Sequence, residues 1–268
     1  MALVRPLCWS LIATLALTAG CTREADTVQR ADRAADTLRV LTYNIHHGEG
    51  MDEVLDLERI ADLIRELEPD LVALQEVDSV TTRTSGVDQA HELGRLTGLA
   101  PVFGRFMAYR GGAYGMAVLS RWPVVESRNL RLPAGAEPRT AVSVEVESRR
   151  TGRRLRFVSI HLYRTEEERL AQATTLEEFL GSREVPTVLA GDFNSTPGSR
   201  VMSHMAQSWQ IVAKGADHFT FPSYEPDREI DFVLLQPSDR FEVLGQRVID
   251  APVASDHRPV LVDLIMRN

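Results

Sequence analysis

The sequence predicts a single domain of mixed α/β structure, and three observations support this prediction. Short apolar runs rich in β-branched residues recur between residue 38 and the C-terminus. Several of these runs alternate with segments in which apolar residues follow the three- and four-residue spacing of an amphipathic helix. No internal repeat and no second shift in composition divides this region, so residues 38–268 are expected to fold as one unit.

Each predicted element follows from a local pattern. Residues 38–45 form a β-rich run, and Asp56 can cap a helix whose apolar positions are Ile60, Leu63, Ile64 and Leu67. Pro69 ends that helix, and the glycines of residues 111–115 predict a loop. Further strands are predicted at 71–74, 116–120, 141–147, 155–160, 185–190, 230–235 and 260–266, and further helices at 88–99, 166–180 and 199–209.

Composition and charge exclude some classes of protein. With 44% hydrophobic and 25% charged residues in a chain of 268, the composition is that of a soluble globular protein rather than a disordered one. The formal net charge of −8 argues against a protein that coats nucleic acid. An enzyme that meets phosphate at one metal-containing site remains compatible with this charge.

The N-terminal residues have the pattern of an export signal. Arg5 precedes an apolar run at 7–19 that is too short to span a bilayer. Small residues then stand directly before Cys21, which resembles a bacterial lipoprotein signal; an ordinary secretory signal with a chance cysteine is the alternative. We expect a signal peptide at 1–20, a lipidated Cys21, and a flexible tether at 21–37. The protein is then an exported lipoprotein on the periplasmic or cell-surface side of a bacterial membrane.

The other cysteine, Cys8, lies inside the predicted signal peptide. The remaining chain therefore has neither a disulfide nor a thiolate metal site, apart from the lipidated residue. A zinc site is accordingly less expected than a site for a metal that prefers oxygen ligands.

Polar residues follow the ends of most of the predicted strands. Each one alone has an ordinary structural explanation as a turn former or a solvated strand end. Together they can converge, because strand ends at one edge of a sheet share a pocket in layered α/β folds. These residues are Asn44, Glu76, His161, Asp192, Asn194, Asp256 and His257, with Asp231 inside the strand at 230–235.

Part of this set is suited to a divalent cation. The carboxylates of Glu76 and Asp256 and the amide oxygen of Asn44 are hard oxygen ligands, which favour Mg²⁺, Mn²⁺ or Ca²⁺. The expected cofactor is therefore Mg²⁺, with Mn²⁺ or Ca²⁺ as alternatives.

The other residues are suited to proton transfer and water alignment. His161 and His257 can act as general acid and base, and Asp231 can orient one of the two imidazoles. Asp192 and Asn194 can align a water molecule for in-line attack. Together with a metal ion, these groups suit the hydrolysis of a phosphate ester.

Five motifs occur in the order found in one known family. The chain resembles the endonuclease/exonuclease/phosphatase superfamily, which includes deoxyribonuclease I, apurinic endonucleases, sphingomyelinases and inositol-polyphosphate 5-phosphatases. The resemblance covers about residues 38–268 and implies a deoxyribonuclease I-like four-layer α/β/β/α sandwich. The motifs are Tyr43-Asn44, Leu74-Gln75-Glu76, Gly191-Asp192-Phe193-Asn194, Ile230-Asp231-Phe232 and Ser255-Asp256-His257-Arg258-Pro259-Val260.

The resemblance also implies roles for the residues of these motifs. It implies metal binding by Asn44, Glu76 and Asp256. It implies acid or base catalysis by His257 paired with Asp231. Alignment of the phosphate or the nucleophile is implied for Asp192 and Asn194. His161, in Ser159-Ile160-His161-Leu162, matches the branch that has a second catalytic histidine, which includes deoxyribonuclease I and sphingomyelinases.

The sequence departs from the family pattern at one position. Some branches carry an acid two residues after the first asparagine, where this chain has His46. A second metal position of that kind is therefore not expected, and His46 or His47 could reach phosphate instead. Arg121 follows a segment common in bacterial members of the family, and we assign it no catalytic role.

These inferences predict a secreted Mg²⁺-dependent phosphoesterase and favour a phosphodiesterase, acting as a monomer without an obligate protein partner. The substrate is either nucleic acid or a phospholipid or inositol-phosphate headgroup, and the negative charge and lipid anchor favour the headgroup. Arginines at 149, 150, 153 and 154 are expected in an exposed hairpin turn. The alternatives are a non-catalytic module that binds phosphorylated ligands or proteins, and a scavenger of extracellular nucleotides.

Overall fold

A computed structural model describes Met1 and residues 37–148, 151–181 and 184–267. The predicted signal peptide beyond Met1, the lipidation site at Cys21 and the tether up to residue 36 lie outside the described residues, as do two of the four arginines of the predicted hairpin turn. Among the helices of the described part, none is both long enough and apolar enough to cross a membrane.

Among the described residues from 37 onward, twelve strands and four α-helices belong to one compact unit. The strands are β1 (Thr37–Asn44), β2 (Leu71–Ser79), β3 (Ala100–Tyr109), β4 (Gly112–Ser120), β5 (Val124–Arg131), β6 (Thr140–Glu147), β7 (Arg154–His161), β8 (Thr187–Asp192), β9 (Gln210–Ile211), β10 (Asp231–Gln236), β11 (Phe241–Val248) and β12 (Val260–Met266). The helices are α1 (Leu57–Leu67), α2 (Gln89–Thr97), α3 (Glu166–Leu180) and α4 (Arg200–Met205).

The strands form two six-stranded sheets. The first sheet has the order β11-β12-β1-β2-β4-β3, and the second has the order β5-β6-β7-β8-β10-β9. Each sheet contains one parallel pair, β1 with β2 and β7 with β8, and every other pairing is antiparallel. The two parallel pairs occupy the centres of the two sheets, so the ends of β1, β7 and β8 lie in central rather than peripheral positions.

The core has three parts, which together confirm the predicted four-layer α/β/β/α sandwich. Between the sheets, Val40 of β1 packs in one cluster with Phe157 of β7 and other residues of both sheets. The next residue along β1, Leu41, points to the opposite face, where it joins a cluster with α1 and α2. A third cluster joins α3 and α4 to the outer face of the second sheet. Both faces of the central strands are therefore buried, which explains their nearly continuous apolar sequences.

The helices begin where the sequence predicts. The side chains of four residues preceding the helices each accept a hydrogen bond from a backbone N–H in the first turn, which satisfies one of the donors that a helix start leaves free. Gly98 ends α2 with a left-handed φ of 72°. The four capping residues are Asp56, Asp88, Thr165 and Ser199.

Two predictions of secondary structure are wrong. The loop predicted at 111–115 is too long, because only Gly111 lies in the turn and β4 already begins at Gly112. A Cβ atom on Gly115 would lie 2.0 Å from the carbonyl oxygen of Gly104 in β3, so this glycine permits close strand pairing rather than a turn. The helix predicted at 199–209 ends at Met205. Strands β3, β5, β9 and β11 were not anticipated at all.

Candidate active site

The predicted site residues meet in a cleft at one end of the sandwich. The cleft has a volume of about 460 Å³. It is lined by Glu76, Tyr114, Glu137, Arg139, His161, Tyr163, Arg164, Asp192, Asn194, Phe221, Asp256 and His257. Asn44 and Asp231 lie behind this surface, where both are almost fully buried.

Strand register places three of the residues in a row across the second sheet. His161 is opposite Asp192 in the parallel pairing of β7 with β8, and Asp192 is opposite Asp231 in the antiparallel pairing of β8 with β10. The ends of β7 and β8 and the start of β10 therefore bring one imidazole and two carboxylates to the same edge of the second sheet.

Asn44 connects the first sheet to this row. Its Nδ2 atom donates to Glu76 Oε1 at 3.2 Å and to Asp192 Oδ2 at 3.3 Å. The same atom lies 3.4 Å from His257 Nε2, while Oδ1 accepts a hydrogen bond from His46 N at 3.1 Å. In this arrangement the amide nitrogen faces the cleft, so metal ligation by Asn44 requires the amide to turn over and stays a prediction.

Glu76 reaches the cleft through an irregularity in β2. The sequence predicts that this strand ends before Gln75, but it continues to Ser79, and its pairing with β4 shifts register between Leu74 and Val77. Glu76 has a left-handed φ of 57° within this bulge. Bulges re-aim side chains next to functional sites, and a left-handed conformation in a residue other than glycine costs about 1–3 kcal/mol. The strained residue is therefore one of the three predicted metal ligands.

His257 and Asp231 form the buried pair that the sequence predicts. His257 Nδ1 lies 2.9 Å from Asp231 Oδ2, and both side chains are almost fully buried. In the neutral form of the imidazole, donation from Nδ1–H to the carboxylate places the lone pair on Nε2, which is the atom nearer Asn44 and Asp192. Burial lowers the pKa of His257, but Asp231, Asp192 and Asp256 outweigh it and raise this pKa to about 10.

Ser255 holds the loop that carries His257. Its hydroxyl donates to the carbonyl oxygen of Asn44 at 2.7 Å and accepts from the backbone N–H of His257 at 3.4 Å. On the other side of the imidazole, the ring of Phe221 packs with its centroid 4.7 Å from that of the His257 ring. The position of the imidazole is thus fixed from its own loop, from β1 and from a neighbouring aromatic ring.

His161 and Asp192 form a second buried contact, with 3.4 Å between His161 Nε2 and Asp192 Oδ2. Burial, together with the positive charges of Arg139 and His257, holds the pKa of His161 well below its ordinary value. Burial and the nearby Asp231 raise the pKa of Asp192. His161 is therefore neutral at pH 7 and can exchange a hydrogen bond rather than supply a charge.

Asn194 is engaged mainly with its own surroundings. Its backbone N–H donates to Asp192 Oδ1 at 2.7 Å, and its Nδ2 atom donates to the carbonyl oxygen of Leu162 at 3.0 Å. Of the side-chain atoms, Oδ1 is left to contact a ligand. The predicted role of Asn194 in aligning a water molecule or a phosphate therefore depends on that single oxygen.

The donor groups of the cleft fit a divalent cation. Glu76 and Asp256 are both partly exposed to the cleft, and neither has an ion-pair partner within the described part of the chain. Two uncompensated carboxylates facing one space favour a cation that prefers oxygen ligands. Glu76 would be the shared ligand of any ion bound closer to His46 and His47, because one ligand atom from each of these three residues lies within 4.8 Å of the others.

His46 and His47 lie beside the cleft rather than in its lining. Both have left-handed φ values, 44° and 46°, and their rings are in edge contact. His46 Nδ1 contacts the carbonyl oxygen of Glu49 at 3.2 Å, and His47 Nε2 lies 3.4 Å from the Glu49 carboxylate. Contact of either histidine with phosphate stays a prediction.

Arg121 lies at the opposite end of β4 from the cleft. Its guanidinium donates to the carbonyl oxygen of Pro69 at 3.0 Å and lies 3.5 Å from the carboxylate of Asp70. These contacts tie Arg121 to the loop between α1 and β2.

Several residues of the cleft wall are missing from the sequence-based set. Glu137 and Arg139 precede β6, and Tyr163 and Arg164 follow β7, in segments that resemble ordinary polar loops. Phe221 comes from the long connection between β9 and β10. Their local sequence carries no signal for the site, since only the packing of the loops brings them to it.

Two packed sheets with this polar edge define a deoxyribonuclease I-like α/β sandwich whose relatives act on phosphate esters. The model of the Endonuclease/Exonuclease/phosphatase family matches residues 41–257, and the chain belongs to that family. Members of the family are hydrolases of phosphate esters that depend on divalent metal ions.

Three similar proteins illustrate the range of this match. The uncharacterized protein YbhP of Escherichia coli (strain K12) is 31% identical over 244 residues, which cover 85% of this chain and 96% of YbhP. The crystal structure of an endonuclease/exonuclease/phosphatase from Beutenbergia cavernae DSM 12333 has a TM-score of 0.72 at 26% identity, covering 87% of this chain and 72% of the other. The mannosyl-6-phosphatase Bt3783 of Bacteroides thetaiotaomicron VPI-5482 shares the fold at 18% identity, with a TM-score of 0.70 and coverage of 85% and 100%.

Proposed function

We propose that the protein is a Mg²⁺-dependent phosphodiesterase, with Mn²⁺ or Ca²⁺ as alternative ions. The observation that carries this proposal is the buried His257–Asp231 pair, whose imidazole faces the same cleft as the carboxylates of Glu76 and Asp256. An imidazole oriented by a buried carboxylate, beside two carboxylates that have no ion-pair partner among the described residues, combines proton transfer with cation binding, as hydrolysis of a phosphate ester requires.

The charge of the cleft favours a diester over a monoester. Four acidic residues line it, against the two guanidinium groups of Arg139 and Arg164. A phosphomonoester carries nearly two negative charges at pH 7, whereas a diester carries one, so the diester is repelled less by this lining. The aromatic rings of Tyr114, Tyr163 and Phe221 offer surface for groups on the two sides of the phosphate.

In the proposed reaction, each residue has one role. His257 accepts a proton from the attacking water through Nε2, and Asp231 holds the imidazole by its Nδ1–H. His161, which stays neutral, donates a hydrogen bond toward the phosphate or the leaving group. Asp192 and the oxygen of Asn194 align the water.

Glu76 and Asp256, with Asn44 if its amide is turned, would hold the metal ion. Bound there, the ion would neutralise charge on the phosphate oxygens and lower the pKa of His257 toward the range in which a base is effective.

Substrate hydrolysis in the presence of Mg²⁺ tests the proposal. Bis-p-nitrophenyl phosphate, plasmid DNA and sphingomyelin represent a minimal diester, a nucleic acid and a phospholipid headgroup, and p-nitrophenyl phosphate represents a monoester. We expect hydrolysis of at least one diester, faster than that of the monoester, and its loss in Asp256→Ala. The matched control is Asp239→Ala, because Asp239 is exposed beyond the far end of β10.

Each outcome of this panel has a defined meaning. Three intact diesters with wild-type protein would contradict the proposal and favour a module that binds phosphorylated ligands or proteins without turnover. If the monoester is hydrolysed faster than every diester, the protein is a phosphatase rather than a phosphodiesterase. Mononucleotides are assayed alongside this panel, and phosphate release from them alone would favour the nucleotide scavenger.

Export and anchoring form a separate part of the proposal, which rests on the sequence. We propose that Cys21 is lipidated and that residues 21–36 tether a monomeric domain to a bacterial membrane on its periplasmic or cell-surface side. The predicted tether is one residue too long, because Thr37 already belongs to β1. Cys21→Ser is expected to move the protein from the membrane fraction to the soluble fraction of cells. Equal distribution of the variant and the wild type would contradict lipidation at this residue.

A further inference from the structure

Tyr114 of β4 lies in the cleft wall, and the proposed reaction does not use it. Only 8% of the residue is exposed, yet it lines the cleft. Its hydroxyl group makes no hydrogen bond to any described residue. That oxygen is not enclosed, in contrast to the hydroxyl oxygen of Tyr43, which is buried without a partner. The Tyr114 hydroxyl is therefore open to the cleft and free to donate a hydrogen bond to a ligand.

Aromatic and cationic neighbours hold the ring of Tyr114 in place. The ring of Phe106 meets it edge-on with 5.6 Å between centroids, and the ring of Tyr109 lies at 5.9 Å. The guanidinium carbon of Arg83 lies 5.3 Å from the centroid of the Tyr114 ring. Arg83 is itself fixed, because its guanidinium donates to both carboxylate oxygens of the fully buried Asp78. A hydroxyl on a ring that is held in this way loses little conformational entropy when it binds a ligand.

The strand pairing places Tyr114 between the candidate metal ligand and a histidine. In the pairing of β2 with β4, Tyr114 is opposite Asp78, just beyond the bulge that carries Glu76. On the other side, the Phe106 ring that contacts Tyr114 lies 6.4 Å from the His161 ring, measured between centroids. Glu76, Tyr114 and His161 all line the same cleft. A phosphate group placed between an ion on Glu76 and the imidazole of His161 is therefore bordered by Tyr114.

We propose that Tyr114 is a substrate-binding residue that donates a hydrogen bond from its hydroxyl group to an oxygen of the scissile phosphate. This inference rests on the proposed function, because it concerns the same cleft. Packing alone does not account for the hydroxyl, since a phenylalanine would make the same ring contacts. A phenol is protonated at neutral pH, so it adds a donor without adding charge. Hydrogen bonds to an ionised acceptor are stronger than those between neutral groups, so one such donor contributes measurably to binding.

Tyr114→Phe tests the proposal, because it removes the hydroxyl oxygen and keeps the ring contacts. Binding of inorganic phosphate in the presence of Mg²⁺ is measured by isothermal titration calorimetry, which does not depend on turnover. The variant is expected to bind phosphate about 10- to 100-fold more weakly, the range for a hydrogen bond to a charged group. With bis-p-nitrophenyl phosphate and Mg²⁺, kcat/KM should fall by a similar factor, while Tm stays that of the wild type. Wild-type values of both phosphate affinity and kcat/KM in Tyr114→Phe would overturn the proposal.

Tyr109 of β3 offers a matched control. Its ring contacts the ring of Tyr114, and the guanidinium carbon of Arg83 lies 4.8 Å from its centroid, but Tyr109 is outside the cleft lining. Tyr109→Phe therefore removes a hydroxyl from the same cluster of side chains without touching the cleft. We expect it to bind phosphate and to hydrolyse the diester as the wild type does. An equal loss in both variants would assign the effect to the packing around Arg83 and overturn the role of the Tyr114 hydroxyl.

Failure of this inference is distinguishable from failure of the proposed function. If Tyr114→Phe hydrolyses a diester and binds phosphate as the wild type does, the role of Tyr114 alone is rejected. If the wild type hydrolyses no diester but its phosphate binding weakens in Tyr114→Phe, the phosphodiesterase is rejected and the contact with phosphate is kept. A wild-type protein that neither binds phosphate nor hydrolyses a diester would reject both.

Discussion

Asp231→Asn isolates the contribution of the His257–Asp231 pair, because asparagine has nearly the same shape as aspartate. The two side chains are 2.9 Å apart and are excluded from water. A hydrogen bond between a buried imidazole and a carboxylate contributes about 1.5–3 kcal/mol, which corresponds to about a 10- to 100-fold decrease in kcat. An asparagine that presents its amide nitrogen to Nδ1 also imposes the other tautomer on the imidazole. The comparable substitution in a Ser-His-Asp triad lowers kcat about 10⁴-fold. From these two effects together, we expect kcat to fall between about 10- and 10⁴-fold.

The same substitution should have a small effect on stability. Removing one partner of a buried ion pair is costly when the other partner keeps its charge. His257 can instead lose its proton, so no unpaired charge remains. Asp231 Oδ1 also has no hydrogen-bond partner among the described residues. A loss of about 1–2 kcal/mol is expected, which lowers Tm by about 2–4 °C per kcal/mol for a domain of this size.

Steady-state hydrolysis of bis-p-nitrophenyl phosphate with Mg²⁺, combined with thermal melting by circular dichroism, separates these two effects. Asp239→Asn serves as the control, because it removes an exposed carboxylate beyond the far end of the same strand. If Asp231→Asn keeps the kcat of the wild type, the carboxylate does not orient the base and the reasoning from the pair is refuted.

Three further predictions follow from the same geometry. His257→Ala should abolish turnover while the far-ultraviolet spectrum stays that of the wild type; retained turnover would move the proton transfer to His161. Excess EDTA should stop hydrolysis, and added Mg²⁺ should restore it; full activity in EDTA would exclude a metal-dependent reaction. Gly191→Ala should lower the free energy of unfolding by at least about 2 kcal/mol and remove most of the activity. The added Cβ would lie 2.0 Å from the carbonyl oxygen of Ile160, and the substituted residue directly precedes Asp192. Gly245→Ala, whose Cβ has no neighbour within 4 Å, should melt as the wild type does, and equal melting of both variants would contradict the steric argument.

The strands that the sequence does not reveal share one structural position. β3 and β11 are the two edges of the first sheet, and β5 and β9 are the two edges of the second. An edge strand is half solvated, so its polar residues break the continuous apolar run that marks the central strands. The sequence Val-Val-Glu-Ser-Arg-Asn-Leu-Arg of β5, mostly exposed, illustrates this weakness. Local sequence patterns therefore identify the central strands of each sheet but not its edge strands.

The site shows a similar division between local and tertiary information. Residues such as Asp192 and His257 are visible in the sequence, because they belong to motifs at strand ends. Arg139 and Tyr163 are not, because two loops acquire their positions only from contacts with Gln172 and Glu168 of α3. The bulge that turns Glu76 into the cleft is also invisible, since it depends on the register of β2 against β4.

Polar contacts between the sheets set the spacing of the site. Beneath the cleft, the fully buried Gln75 donates to Ser159 Oγ of β7 at 3.3 Å, and its oxygen lies 3.4 Å from Thr42 Oγ1 of β1. An amide in an apolar core is tolerated only when its hydrogen bonds are made, so these contacts favour one alignment of the two sheets. Glu76 follows Gln75 directly in the first sheet, whereas His161 lies two residues beyond Ser159 in the second. The alignment that satisfies the buried amide therefore also sets the distance between the candidate metal ligand and the histidines.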